Sequence, residues 1–388
     1  MTQNTTDQVQ QLVAALVSRE SENPPGNESA VATFVRDWLR DRGVDASLVR
    51  DPDPDRPQVA ARVGDGDPTV VLNGHIDVVP AGDREQWSRP PYEGVVEDGT
   101  LYGRGSADMK SGVAVAMLAT VAFKQRFEND DLDGSVVFHA AMGEETAEPG
   151  TKTLLEAGYD GDYGVVLEPT GLRTATSEKG LAWYEITVGG DPSHASRPDF
   201  GDNAITNARP VLDALAEYDE RVRERTDDLV GRAYATVTGF DAGTKENVVP
   251  ESAVLTVDRR FLPAESIADV DAELERVLDE VAEEHGLEID CRRTRTYESA
   301  SIPVDSPFAT VFREHAAALG DVDDTPWGIS ASTDVRNLVN DADVEAITWG
   351  PGDLDQAHTF DERIDLDEVR VALDVLENAL VEVFEAEG

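Results

Sequence analysis

The chain has 388 residues, 40% of them hydrophobic, enough for a sizeable core and long enough for two domains. Its 79 acidic residues against 33 basic ones give a net charge of −46 spread along the whole chain, which argues against nucleic acid as a partner and for the high-salt surface of an extreme halophile. One cysteine, Cys291, excludes an intrachain disulfide framework and fits a reducing, cytoplasmic setting.

The start, Met1 to Gln11, has neither a basic n-region nor an apolar h-region, so no signal peptide is expected. No apolar run approaches the ~18 residues of a membrane span, which argues against a membrane partner. Val9, Leu12, Val13, Leu16 and Val17 predict an amphipathic helix over 6–18. Pro24-Pro25-Gly26-Asn27 breaks it, and a second helix is expected over 28–42, with Gly43 as its end signal. Two short strands, 58–63 and 69–72, flank Gly64-Asp65-Gly66-Asp67, which reads as a hairpin-like break. The small apolar run 111–127 predicts a buried helix, 135–142 a buried strand, 152–157 a short helix and 163–167 another buried strand. Strands alternating with helices imply an α/β domain whose central, mostly parallel sheet is flanked by helices.

From about Ser177 the pattern changes. Strands over 181–188, 232–240, 253–261 and 287–293, with helices over 203–225 and 267–285, follow the β-α-β-β-α-β order of a ferredoxin-like α+β sandwich. After Pro303 the α/β character returns, with a helix over 308–319, a strand over 344–348 and a C-terminal helix over 366–385. The expected organisation is a catalytic domain in two parts, 1–176 and 295–388, with a smaller domain, 177–294, inserted between them.

The residues able to carry chemistry gather at predicted strand ends. His75 closes the run Val70-Val71-Leu72-Asn73-Gly74, and Asp77 two residues on returns to the same side, where a carboxylate can accept the second ring N–H of a ligating imidazole. Asp108 lies among Gly103, Gly105 and Gly112 just before the buried helix, in a loop whose spacing is not a dinucleotide fingerprint. Glu144 and Glu145 sit at the mouth of the strand 135–142; adjacent side chains on an extended backbone point in different directions, and alone such a pair is usually a solvated loop. Glu168 and His358 each follow a further strand. Two imidazoles with three carboxylates suit a pair of divalent ions, zinc best, with cobalt or manganese as substitutes. His139, alternating with apolar residues, reads as a core residue.

These motifs, Gly74-His75-Ile76-Asp77-Val78-Val79-Pro80, Tyr102-Gly103-Arg104-Gly105 through Asp108-Met109-Lys110, Gly143-Glu144-Glu145, Glu168-Pro169, Ser193-His194-Ala195, Asn247-Val248-Val249-Pro250 and His358, occur in one order along almost the whole chain. Together they resemble the metallopeptidase family of acetylornithine deacetylase, succinyl-diaminopimelate desuccinylase, aminoacylase-1 and carboxypeptidase G. The resemblance implies a two-zinc catalytic domain and a ferredoxin-like lid that dimerises. It implies that Asp108 bridges two ions, that His75 and Glu168 hold one and Glu145 and His358 the other, and that the Asp108–Met109 peptide is cis. Asp77 would orient His75, Glu144 would be the general base, and His194 of the lid would stabilise the oxyanion, with action across a dimer interface left open. Asn247, Arg260 and Arg336 match positions on the substrate side, although Ser332-Thr333-Asp334-Val335-Arg336 lacks the glycine pair usual before Thr-Asp. The expected activity is metal-dependent hydrolysis of an N-acyl or peptide bond in a small amino-acid derivative. A dipeptidase or carboxypeptidase is the alternative, and a non-catalytic homologue that binds metal or amino acid the third reading.

Overall fold

The computed structural model describes residues 3–129, 131–320 and 322–387. In chain order the main elements are α1 (Gln3–Val17), α2 (Ser29–Arg40), β1 (Ser47–Val49), β2 (Gln58–Gly64), β3 (Thr69–His75), α3 (Ser111–Glu128), β4 (Ser135–Ala141), α4 (Gly150–Glu156) and β5 (Tyr163–Val166). Then come β6 (Gly180–Gly189), α5 (Ala204–Val222), β7 (Tyr234–Ala242), β8 (Ser252–Phe261), α6 (Ile267–His285) and β9 (Ile289–Tyr297). The chain closes with α7 (Pro307–Gly320), α8 (Val335–Ala342), β10 (Glu345–Thr348) and α9 (Leu366–Glu387). Two compact units result: Met1–Thr176 with Ser301–Ile329 and Thr333–Gly388, and Ser177–Ala300 with Ser330–Ser332.

In the first unit the strands run β1-β2-β4-β3-β5-β10 across the main sheet. β4, β3, β5 and β10 are mutually parallel, while β2 pairs with β4 antiparallel. Every residue of β3 and of β4 is buried, as continuous apolar runs require when helices cover both faces of a sheet. The expected hairpin between β2 and β3 does not form. Both strands bond to β4, which lies between them, because that wholly buried strand needs a hydrogen-bonding neighbour on each edge, and the Gly64–Asp67 break only carries the chain past it.

α3 packs its small residues against this sheet. By length and composition the segment Ser106–Glu128 passes for a membrane span, which the sequence reading had excluded, but 89% of its most apolar window is buried inside the fold. It is a core helix.

The second unit is a four-stranded antiparallel sheet in the order β7-β8-β6-β9, the ferredoxin-like arrangement. Burial alternates along β6 and β8, so one face packs on α5 and α6 through Tyr184, Ile186, Val188, Leu255 and Val257. β9 runs on to Tyr297, opposite Leu181, so this unit extends past the residue 294 read from sequence.

Candidate metal centre

Parallel neighbours end on the same side of a sheet, so the loops after β3, β4, β5 and β10 share the carboxyl edge, where α/β folds place their ligands. His75 is the last residue of β3, Glu144 and Glu145 form a short turn after β4, Glu168 follows β5, and His358 lies in the loop after β10. Asp108 arrives from the loop before α3. Gly105 holds φ +81 there, and a Cβ on it would stand 2.6 Å from Val78 Cγ1, so only glycine fits this turn. The Asp108–Met109 peptide is cis.

These five residues converge. His75 Nε2 lies 3.2 Å from Asp108 Oδ1 and 3.7 Å from Glu168 Oε1. The other oxygen of Asp108, Oδ2, lies 3.5 Å from His358 Nε2, which is 3.0 Å from Glu145 Oε2. Among the described residues, ligand atoms of His75, Asp108 and Glu145 all fall within 4.8 Å of one another. Asp108 thus faces one imidazole with each carboxylate oxygen. The two adjacent glutamates diverge, since Glu145 turns to His358 while Glu144 Oε1 lies 3.8 Å from Arg336 Nη1.

The electrostatics show a site short of positive charge. Burial works against a charged His75, yet the Asp108 bond and the charges of Glu168, Asp108 and Asp77 hold its pKa well above the ordinary value. Hydrogen bonds to Asp108 and Glu145 raise His358 to about 10. Burial raises Glu144 and Glu168 well above the carboxylate range, and the surrounding carboxylates raise both further. Protons therefore collect where cations would otherwise satisfy the carboxylates. The donor set fits two divalent ions, with Asp108 shared between a His75–Glu168 side and a Glu145–His358 side.

Asp77 is placed differently from the sequence expectation. His75 Nδ1 meets the main-chain oxygen of Asp77 at 2.9 Å, while the Asp77 carboxylate is 3.6 Å away. That carboxylate accepts from Asn23 Nδ2 at 2.9 Å and from the backbone N–H groups of Glu144 and Glu145, both at 3.2 Å. It therefore holds the Glu144–Glu145 turn by hydrogen bonds, while His75 is hydrogen-bonded to the Asp77 backbone and feels the carboxylate as a nearby charge. Burial pushes the Asp77 pKa up to about 6.

Arg336 belongs to the same unit, at the start of α8. It donates to the Thr333 main-chain oxygen and to Asp334 Oδ1, and it approaches Glu144. The other three expected site residues lie in the second unit. His194 is exposed, with Nδ1 against Ser196 Oγ at 2.8 Å, and its strand pairs with Val248–Val249, next to Asn247. Arg260 is not an open fork: its Nε and Nη2 donate to the two oxygens of Asp258 at 2.8 and 3.2 Å.

The sequence reading missed Glu362. It is fully buried, and its carboxylate accepts from the backbone of the Asp108 loop. An acidic residue four places after a candidate ligand histidine was the available signal, but in so acidic a chain it does not stand out. Asn23 was missed because its contact with Asp77 is distant in sequence, as is the Thr151 bond of Asp334.

Residues 71–382 match the profile of peptidase family M20/M25/M40. A probable succinyl-diaminopimelate desuccinylase of Staphylococcus aureus (strain MRSA252) is 26% identical over 407 residues, covering 96% of each chain. Among solved structures, an M20-family metallo-carboxypeptidase from Sulfolobus solfataricus superposes with a TM-score of 0.79 at 18% identity, over 98% of this chain and 99% of that one. A dinuclear metal-binding peptidase of the M20 family from Bacillus subtilis gives 0.74 at 19% identity, over 99% of both chains.

Proposed function

The chain belongs to peptidase family M20/M25/M40, and from that membership we propose that it is a dinuclear zinc amidohydrolase acting on a small N-acyl amino acid of the N-succinyl or N-acetyl class. The observation that carries this reading is the convergence of His75, Asp108, Glu145, Glu168 and His358 beside Glu144 at one sheet edge. His75 and Glu168 would hold one ion, Glu145 and His358 the other, with Asp108 between them; cobalt or manganese suits the same donors. Bound there, two divalent ions supply Lewis acidity toward the scissile carbonyl and an acidified water.

The chain's own groups do the rest. Glu144 takes the proton of the attacking water and delivers it to the leaving nitrogen. Its carboxylate suits both tasks, since burial favours the protonated form while Arg336 favours the ionised one. Asp77 fixes the turn on which Glu144 stands. His194 donates to the developing oxyanion, and Asn247, Arg336 and Arg260 bind the substrate's carboxylate end, Arg260 after exchanging its Asp258 partner.

The second unit acts as a lid and as the surface of a homodimer. The −46 charge supports work at molar salt and speaks against nucleic acid as a partner, and the single cysteine supports a reducing, cytoplasmic setting. The family's description as peptidases supports a second reading, hydrolysis of dipeptides or carboxyl-terminal residues.

The test is a panel of N-succinyl-diaminopimelate, N-acetyl-ornithine, N-acetyl-methionine and simple dipeptides in molar KCl with zinc, scored for released amine. Release from the acylated substrates supports the first reading and release from peptides alone the second. In the same assay Glu144→Gln should lose turnover by about 10²–10⁴-fold while keeping its metal content. Undiminished turnover in that variant removes Glu144 as the base.

A further inference from the structure

Glu362 lies at 0% exposure in the first unit and touches none of the groups assigned to the reaction except the backbone of Asp108. Its carboxylate is nonetheless saturated. Oε2 accepts from Arg104 Nη1 at 2.6 Å and from the Gly105 N–H at 3.0 Å. Oε1 accepts from the N–H groups of Ala107 at 2.9 Å and Asp108 at 3.1 Å. Three main-chain donors and one guanidinium converge on one buried side chain, an anion-binding nest filled by the protein's own carboxylate.

A short ladder delivers Glu362 to this place. The strand Arg363–Asp365 pairs antiparallel with Thr100–Tyr102, Arg363 opposite Tyr102, and the Glu362 main-chain oxygen accepts from the Gly103 N–H at 2.9 Å. The side chain then falls into the concave side of the 103–108 loop, where the left-handed Gly105 supplies one of the inward N–H groups.

We propose that Glu362 is a positioning residue of the metal centre, stapling the loop that carries Asp108 to the segment that carries His358. This rests on the reading of the cluster as a metal site. Glu362 follows His358 by four residues, so one carboxylate joins the two segments whose side chains meet at Asp108 Oδ2 and His358 Nε2, 3.5 Å apart. The bond to the Asp108 N–H fixes the backbone from which the shared carboxylate projects toward both imidazoles. Removing the staple frees the two segments to separate, and the cost appears in metal affinity before it appears in the chemical step.

The test measures zinc affinity of chelator-stripped protein in molar KCl, by competition with a chromophoric chelator, together with the thermal midpoint of the metal-free chain. Glu362→Gln keeps the volume but turns two donors toward Arg104 and Gly105 or toward Ala107 and Asp108; its zinc affinity should fall about 10–100-fold. Glu362→Asp keeps the charge one methylene shorter and should recover part of the loss. Glu265→Gln is the control: it weakens the partly buried ion pairs of Glu265 with Arg225 and Arg259 in the second unit, and should lower the midpoint while leaving zinc affinity unchanged. A Glu362→Gln chain that binds zinc as tightly as the wild type overturns the proposal, whatever its midpoint. Should that variant fail to fold, Arg104→Met removes one of the four donors, and unchanged zinc affinity there overturns it equally. A wild-type chain that binds no zinc, cobalt or manganese refutes the metal centre itself, an outcome separate from any difference among variants.

Discussion

Asp77→Asn isolates the contact that the structure reassigns. The aspartate carboxylate serves three donors: Oδ1 takes the Glu144 N–H, and Oδ2 takes the Glu145 N–H and Asn23 Nδ2. Asparagine keeps the shape and one oxygen. The better orientation leaves that oxygen on Glu145 and Asn23 and turns the new NH2 group toward the Glu144 N–H, donor against donor. An unpaired buried donor costs about 1–3 kcal/mol, and the two surviving bonds lose their charge assistance. Relief comes by shifting the turn that carries Glu144. A loss of about 2 kcal/mol corresponds to roughly 30-fold in rate, and misplacement of the base by an ångström extends that to about 100-fold. The assay is kcat/KM for the hydrolysed substrate in molar KCl, with metal content measured on the same samples. Metal content should hold at the wild-type level, because His75 Nδ1 donates to the Asp77 main-chain oxygen and that bond survives the substitution. Activity within threefold of wild type refutes the reasoning. Loss of metal with unchanged activity per bound ion would move the role of Asp77 back to orienting His75.

Three other outcomes follow from the geometry. Arg336→Met removes the cation beside Glu144 and leaves Asp334 without one of its donors, so kcat should fall by about 10-fold or more and KM should rise as a substrate-binding group is lost; a rise in KM alone would make Arg336 purely a substrate clamp. His139 is fully buried between Asn73 and the Tyr159 main-chain oxygen, and burial lowers its pKa to about 4. With the folded value below the unfolded one, this stability is present above about pH 6.5 and is lost as pH falls from there toward 4; about 3 kcal/mol is at stake. Replacing His139 with asparagine should flatten that acid limb in denaturant titrations run against pH, and an unchanged limb would assign it elsewhere. The −46 charge predicts that unfolding midpoints drop as KCl is lowered from 1 M to 0.1 M, because the screening length grows from about 3 to about 10 Å; a midpoint that does not move would mean the acidic surface is not adapted to salt.

Most elements and the candidate ligands are legible in the chain because their causes are local. Periodicity marks α6 as Ile267–His285 to the residue, since an amphipathic helix between Ser266 and Gly286 carries its own start and stop. The continuous apolar runs of β3 and β4 announce a parallel sheet, and the glycines around Asp108 announce a loop with unusual backbone angles. The hairpin between β2 and β3 was misread because local turn chemistry does not reveal that β4, some seventy residues on, takes the position between them.

Local sequence sets the list of parts: two imidazoles and several carboxylates at strand ends, and two architectures along one chain. Each of these depends on neighbours within a few residues. The fold sets which group holds which. It adds the Glu144–Glu145 turn to the partners of Asp77, pairs Arg260 with Asp258 and Arg336 with Glu144, and seats Glu362 under the Asp108 loop. Most of these partners are far apart in the chain; Glu362 and Asp108 are 254 residues apart. A hydrogen bond depends on distance and direction in space, which composition and spacing do not specify.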